Sequence, residues 1–114
     1  MTSLHQDRIV PFVRSLPRDG SRYFEILNAS QTRKMHSGMV VLQKGENVGS
    51  HSTGPYEEVL VILEGSGEVE ADGFGRKEVE KGCIAYIPPE TRHNVFNPGE
   101  QELRYIFIVA KVLP

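Results

Sequence analysis

The sequence predicts an all-β domain, a sandwich or barrel of short strands, and three observations carry that prediction. Eleven glycines and seven prolines punctuate the 114 residues. Long helices therefore have little room. The pieces between the breakers are rich in Val, Ile, Tyr and Phe, whose branched or flat side chains suit a pleated surface. Turn-forming Gly, Pro, Asn and Asp recur at the short intervals expected of consecutive strands.

Taken in order, residues 1–22 read as an N-terminal arm. The stretch "VPFVRSLPRDG" holds Pro11 and Pro17 and mixes Val10, Phe12, Val13 and Leu16 with charges. It is a disordered arm, an arm docked on the domain, or one crossing to a second subunit, and its apolar residues favour docking. Residues 23–114 form the domain. Strands are expected at Tyr23–Leu27, Met39–Gln43, Glu58–Leu63, Gly67–Ala71, Lys77–Val79, Ile84–Ile87, His93–Phe96 and Leu103–Val109. Asp72-Gly73 marks a hairpin turn. Two strands are apolar on both faces. Leu60 and Ile62 oppose Val59, Val61 and Leu63, and Tyr105, Phe107 and Val109 oppose Ile106, Ile108 and Ala110. A face in water would be polar, so a second layer, the arm or a partner must cover it. A homodimer with packed sheets is the favoured reading.

Net charge is −2, from 13 basic and 15 acidic residues. That gives no electrostatic footprint for nucleic acid or an anionic membrane. Arg33, Lys34 and nearby His36 are the only local basic cluster and read as a solvated face. The single cysteine, Cys83, permits no internal disulfide and fits a reducing compartment. Cys83 reads as a small buried hydrophobe, an oxidisable thiol or an extra ligand. The first residues show no apolar stretch of signal-peptide length. The longest apolar run, Tyr105 to Ala110, is too short to span a bilayer. A cytoplasmic location, with neither nucleic-acid nor membrane partners, is expected.

The chemistry lies in two stretches, "GENVGSHSTGPYEEVLVILEG" (residues 45–65) and "GCIAYIPPETRHNVFN" (residues 82–97). On extended backbone His51 and Thr53 point the same way, and Glu58 opens the next strand with access to the same interior. His93 begins a third strand. Glu57 competes with Glu58, and if Glu58 faces inward, parity sends Glu57 outward, to a solvated rim. Two imidazoles and a carboxylate from three strands suit a divalent transition metal and leave positions open for substrate or water.

The spacing of these residues resembles the cupin superfamily. Gly45, His51, Glu58 and Gly65 match its first motif, Gly-x5-His-x-His-x3–4-Glu-x6-Gly. Gly82, Pro88, His93 and Asn97 match its second, Gly-x5-Pro-x-Gly-x2-His-x3-Asn. Two positions depart: Thr53 stands where the family has a second histidine, and Glu90 where it has a glycine. The resemblance implies a single-domain β-barrel of the double-stranded β-helix, or jelly-roll, type. It implies a site of three His and one Glu, here reduced to His51, Glu58 and His93 as ligands for Fe, Mn, Ni or Zn. Dioxygenases, isomerases, lyases and decarboxylases are the implied chemistries. A metal-dependent enzyme on a small molecule is one expectation, and a metal-free module binding a small, sugar-like ligand is the alternative. Thr53, Gln43, Tyr56 and Asn97 are candidates for the surroundings of the site. Thr53 has a plain β-former as its other reading, and Asn97 a turn-former before Pro98-Gly99. Tyr86, Arg92 and Tyr105 are further candidates for a pocket mouth.

Overall fold

A computed structural model of the protein describes residues 9–114. Nine strands and no helix are present among them: β1 (Tyr23–Leu27), β2 (Met35–Leu42), β3 (His51–Ser52), β4 (Tyr56–Glu64), β5 (Ser66–Ala71), β6 (Gly75–Glu80), β7 (Ile84–Ile87), β8 (Arg92–Phe96) and β9 (Leu103–Lys111). They form two antiparallel sheets. One has five strands in the order β1-β2-β9-β4-β7, the other four in the order β3-β8-β5-β6. All eight expected strands are found. The ninth, β3, is only two residues long and carries no apolar alternation to announce it. β2 also begins four positions earlier than expected. It therefore takes in His36, which is half-buried instead of lying on the surface.

The core fills the space between the sheets. Val40, Leu42, Leu60, Ile62, Ile87, Leu103 and Tyr105 project from the five-stranded sheet, and Val69, Ala71, Val79 and Val95 from the four-stranded sheet. Strand parity explains the selection, because every second residue of β4, β5 and β9 points into this layer. Asp72 and Gly73 turn β5 into β6 as the sequence predicts, with the Phe74 amide donating to Ala71 O. Gly65 turns β4 into β5 with a positive φ of 79°. The Glu102 carbonyl is packed where a side chain would project, so only glycine fits there.

The outer face of the five-stranded sheet is apolar in rows. Phe24, Met39, Ile106, Val61 and Ile84 align across it, and Ile108, Val59 and Tyr86 form the next row. The arm covers one part. Arg104 on β9 donates to the carbonyls of Pro17 and Asp19, and its guanidinium lies against Met39 Sδ. Met39 is accordingly 1% exposed. Beyond that reach Ile84 is 71% and Tyr86 55% exposed, and Val13 of the arm is 99% exposed, with no cover among the described residues. The part of the arm before residue 9 lies outside the described residues.

Candidate metal centre

Three strands deliver the site. β3 pairs with β8 so that His51 sits directly opposite His93, with ring centroids 4.3 Å apart. β4 belongs to the other sheet. Glu58 shares its inward face with Leu60 and Ile62, while Glu57 turns outward and accepts a hydrogen bond from Tyr86 Oη at 2.9 Å. One ligand atom from each of His51, Glu58 and His93 falls within 4.8 Å of the others. Glu58 and His93 are buried, and His51 is exposed on its short edge strand.

The imidazoles are oriented by the backbone. His51 Nδ1 lies 2.8 Å from Gly49 O, and His93 Nδ1 lies 3.0 Å from Thr91 O. A carbonyl oxygen only accepts, so both Nδ1 atoms carry the proton and both rings offer Nε2 to the interior. His93 Nε2 is 2.9 Å from Glu58 Oε1. That contact holds a proton when no cation is present. Burial works against the charged ring, but the Glu58 hydrogen bond, the Thr91 carbonyl and the Glu58 charge outweigh it, and the His93 pKa is raised above its ordinary value.

A cavity of about 230 Å³ opens beside these residues. Val40, Val48, Leu60, Val95 and Phe107 wall it, and Tyr23 and Tyr105 supply phenols. Tyr105 is 3% exposed. Burial, then the Glu58 charge, raise its pKa, so it stays a neutral proton donor. Tyr23 stacks on Phe107 at 6.2 Å. A side chain at Gly38 would collide with both rings, so that glycine lets them close on the cavity.

The other candidates lie elsewhere. Thr53 is buried, but its hydroxyl donates to Pro88 O at 2.7 Å and accepts from the Thr91 amide at 3.0 Å. Its side chain ties down the loop leading to His93 and does not line the cavity. Asn97 donates to Leu42 O and Gln101 O and accepts from the Gly99 amide, a clamp on the turn. Gln43 lies exposed past the far end of β2 and reaches Glu102. Tyr56 packs edge-on against His36 at 5.2 Å, in a different recess. Tyr86 and Arg92 face outward, and Cys83 packs against the core away from the histidines. Tyr105 is the one mouth candidate that lines the cavity. Tyr23, Val48 and Phe107 were not singled out by sequence. Period two places Phe107 on the Tyr105 face, whereas nothing local signals the other two. Glu90, in place of the family glycine, keeps the glycine-like geometry with φ of 52°, its amide donating to Gly54 O.

A family model described as "Cupin domain" matches residues 38–109. The chain is 32% identical over 102 residues to an uncharacterized protein of Methanocaldococcus jannaschii, covering 88% of this chain and 78% of that one. Among solved structures it is similar to a cupin protein of Bacteroides fragilis, with a TM-score of 0.76, 22% identity, and coverage of 88% of this chain and 83% of that one. It is also similar to a Thermotoga maritima protein described as a predicted oxalate decarboxylase, with a TM-score of 0.74, 20% identity and coverage of 79% of each chain. At these identities the structural likenesses speak for the fold alone. No helix among the described residues is long and apolar enough to cross a membrane.

Proposed function

Because the chain belongs to the cupin domain family, we propose that it is a metal-dependent enzyme acting on a small molecule, of dioxygenase or isomerase type. His51, Glu58 and His93 hold one divalent ion, Fe, Mn, Ni or Zn. The convergence of three ligand atoms from both sheets within 4.8 Å carries this reading. The donor set fits: two imidazoles that present Nε2 to the interior, that of His93 once the proton it shares with Glu58 is lost, and one carboxylate match the preferences of these ions. Atoms sharing an ion at about 2.1 Å lie no more than roughly 4.2 Å apart, so small side-chain shifts close the set. A bound ion supplies Lewis acidity and open coordination positions. The chain supplies the rest. Apolar walls line the cavity, the two backbone carbonyls fix the imidazoles, and Tyr105 holds a proton on its phenol at the cavity wall.

A second reading, a metal-free module for a small, sugar-like ligand, is supported by one observation. Glu58 and His93 already satisfy one another, and no buried side-chain polar atom among the described residues lacks a partner. We also propose that a second copy of the chain covers the exposed outer rows of the five-stranded sheet.

Elemental analysis of untagged protein separates the two readings. Near-stoichiometric metal that falls at least about 100-fold in Glu58→Ala and in His93→Ala supports the enzyme reading. No metal after incubation with Fe(II), Mn, Ni and Zn leaves the binding module.

A further inference from the structure

Beyond the cavity, β2, β9 and β4 meet at a second recess, of about 430 Å³. Arg33, Lys34, His36, Tyr56, Lys111 and Leu113 are among the residues that line it. It is distinct from the metal cavity and shares one wall with it. His36 lines the recess, and its ring lies 6.3 Å from that of Phe107, which lines the cavity. We propose that this recess binds a small organic anion, with a carboxylate or phosphate on Arg33, Lys34 and Lys111 and an apolar body against Tyr56 and Leu113.

Strand pairing creates the site. Lys111 is far in sequence from the Arg33-Lys34 pair, but its amide donates to Lys34 O at 2.9 Å, which sets the two lysines side by side. Like charges at neighbouring positions across strands repel. No carboxylate among the described residues forms an ion pair with either lysine. Arg33, Lys34 and Lys111 make no ion pair among the described residues; Arg14, Arg18, Lys77 and Arg92 make none either, but none of those four lines this recess. Among the described residues no acidic side chain lines the recess, and the terminal carboxylate of Pro114, which does line it, makes no ion pair with the three cations. The carboxylate next along β4 from Tyr56 is Glu57, which is turned to the other face and held by Tyr86. A protein with net charge −2 thus gathers three exposed cations that form no ion pair around one concavity. The concavity also has an aromatic side, Tyr56 edge-on to His36, against which the body of an anion can pack. The volume lies in the range of small-molecule sites. An oxyanion supplies the charge the recess lacks, and its binding there requires no metal.

The test uses chelator-treated protein, so that the outcome does not depend on the metal reading. Benzoate, phenyl phosphate, inorganic phosphate and uncharged benzyl alcohol are titrated while amide chemical shifts are followed. Benzoate or phenyl phosphate is expected to shift Lys34, His36, Tyr56 and Lys111 with a dissociation constant of about 1 mM or tighter, and to weaken as salt is raised. Whichever of the two binds more tightly identifies the oxyanion. Inorganic phosphate is expected to bind at least about 10-fold more weakly than phenyl phosphate, because it lacks the apolar body. Combined Arg33→Gln, Lys34→Gln and Lys111→Gln substitutions should weaken binding at least about 10-fold, as should Lys111→Gln alone to a smaller degree, with shifts elsewhere unchanged. The proposal is overturned if benzyl alcohol binds as well as benzoate, if inorganic phosphate binds as tightly as phenyl phosphate, if the triple variant keeps its affinity, if the shifts fall on His51 and His93 instead, or if no probe binds.

Discussion

On the four-stranded sheet the outward positions include Glu68, Glu70, Arg76, Glu78 and Glu80. On the five-stranded sheet they include Val59, Val61, Leu63, Ile106 and Ile108. The inward faces of the two sheets are alike, for both are apolar and both contribute to the His51, Glu58 and His93 cluster. The difference outside has a physical consequence. The first sheet alternates apolar and polar residues, as a sheet facing water does, with Arg76 paired to Glu68 at 2.7 Å and lying 3.6 Å over Phe96. The second is apolar on both sides, and within one chain only the arm covers part of it. Large contiguous apolar surfaces of this kind mark interaction sites.

Substitutions at paired positions test that contrast. The largest effect is expected at the shared inner layer. Leu60→Ala should cost about 2–5 kcal/mol in denaturant unfolding, through a cavity in the core, whereas Glu70→Ala on the polar outer face should stay within about 0.5 kcal/mol. Equal losses would mean that the two faces of the molecule are not as unlike as drawn. Next comes the apolar outer face. Val61→Lys places an unpaired charge in the proposed dimer and should weaken it about 100-fold or more, equivalent to roughly 2.7 kcal/mol. Glu70→Lys should leave it unchanged. Light scattering reads both against twice the chain mass of 12.8 kDa. A wild-type monomer at all concentrations would remove the dimer from the comparison.

A smaller effect is expected in the loop that carries His93 from one sheet to the other. Glu90 is held at a positive φ that costs a residue with a Cβ about 1 kcal/mol, so Glu90→Gly should stabilise the protein by up to about that amount. Loss of stability on that change would show that the Glu90 side chain makes a contact outweighing the strain. The least effect is a pH dependence of the link between the sheets. The folded His93 pKa is raised above the ordinary 6.5. In metal-free protein the His93–Glu58 pair therefore contributes stability that is fully present below about pH 6.5 and is lost as pH rises through the folded pKa. His93→Gln should remove that dependence. The proposed metal occupancy is expected to have the opposite sign, since an ion held by His93 would compete with the proton there and be lost as pH falls. A wild-type unfolding profile identical to that of His93→Gln would count against the charged pair.

The strands and the three convergent side chains could be read without coordinates because both depend on local rules. The motif interval to Gly65 chooses Glu58, period two then turns Glu57 outward, and motif spacing places His51 and His93 beside it. The surroundings could not be read the same way. Thr53 has the parity of a ligand, yet its hydroxyl is committed to Pro88 and Thr91, residues that reach it only when the β3–β8 edge forms. Asn97 serves the turn because Leu42 and Gln101 close around it. His36 became half-buried because β2 extends along β9 beyond its apolar run.

The sequence by itself determined the all-β class, the inner faces and the identity of the clustered donors, since side-chain parity and breaker spacing are properties of consecutive residues. Only the tertiary structure decided which residues line the cavity, which outer face remains uncovered, and that Lys111 joins Arg33 and Lys34 in one recess. Those facts depend on pairing between strands distant in the chain, where hydrogen-bond register and the packing of one sheet against the other choose among neighbours that no local pattern distinguishes.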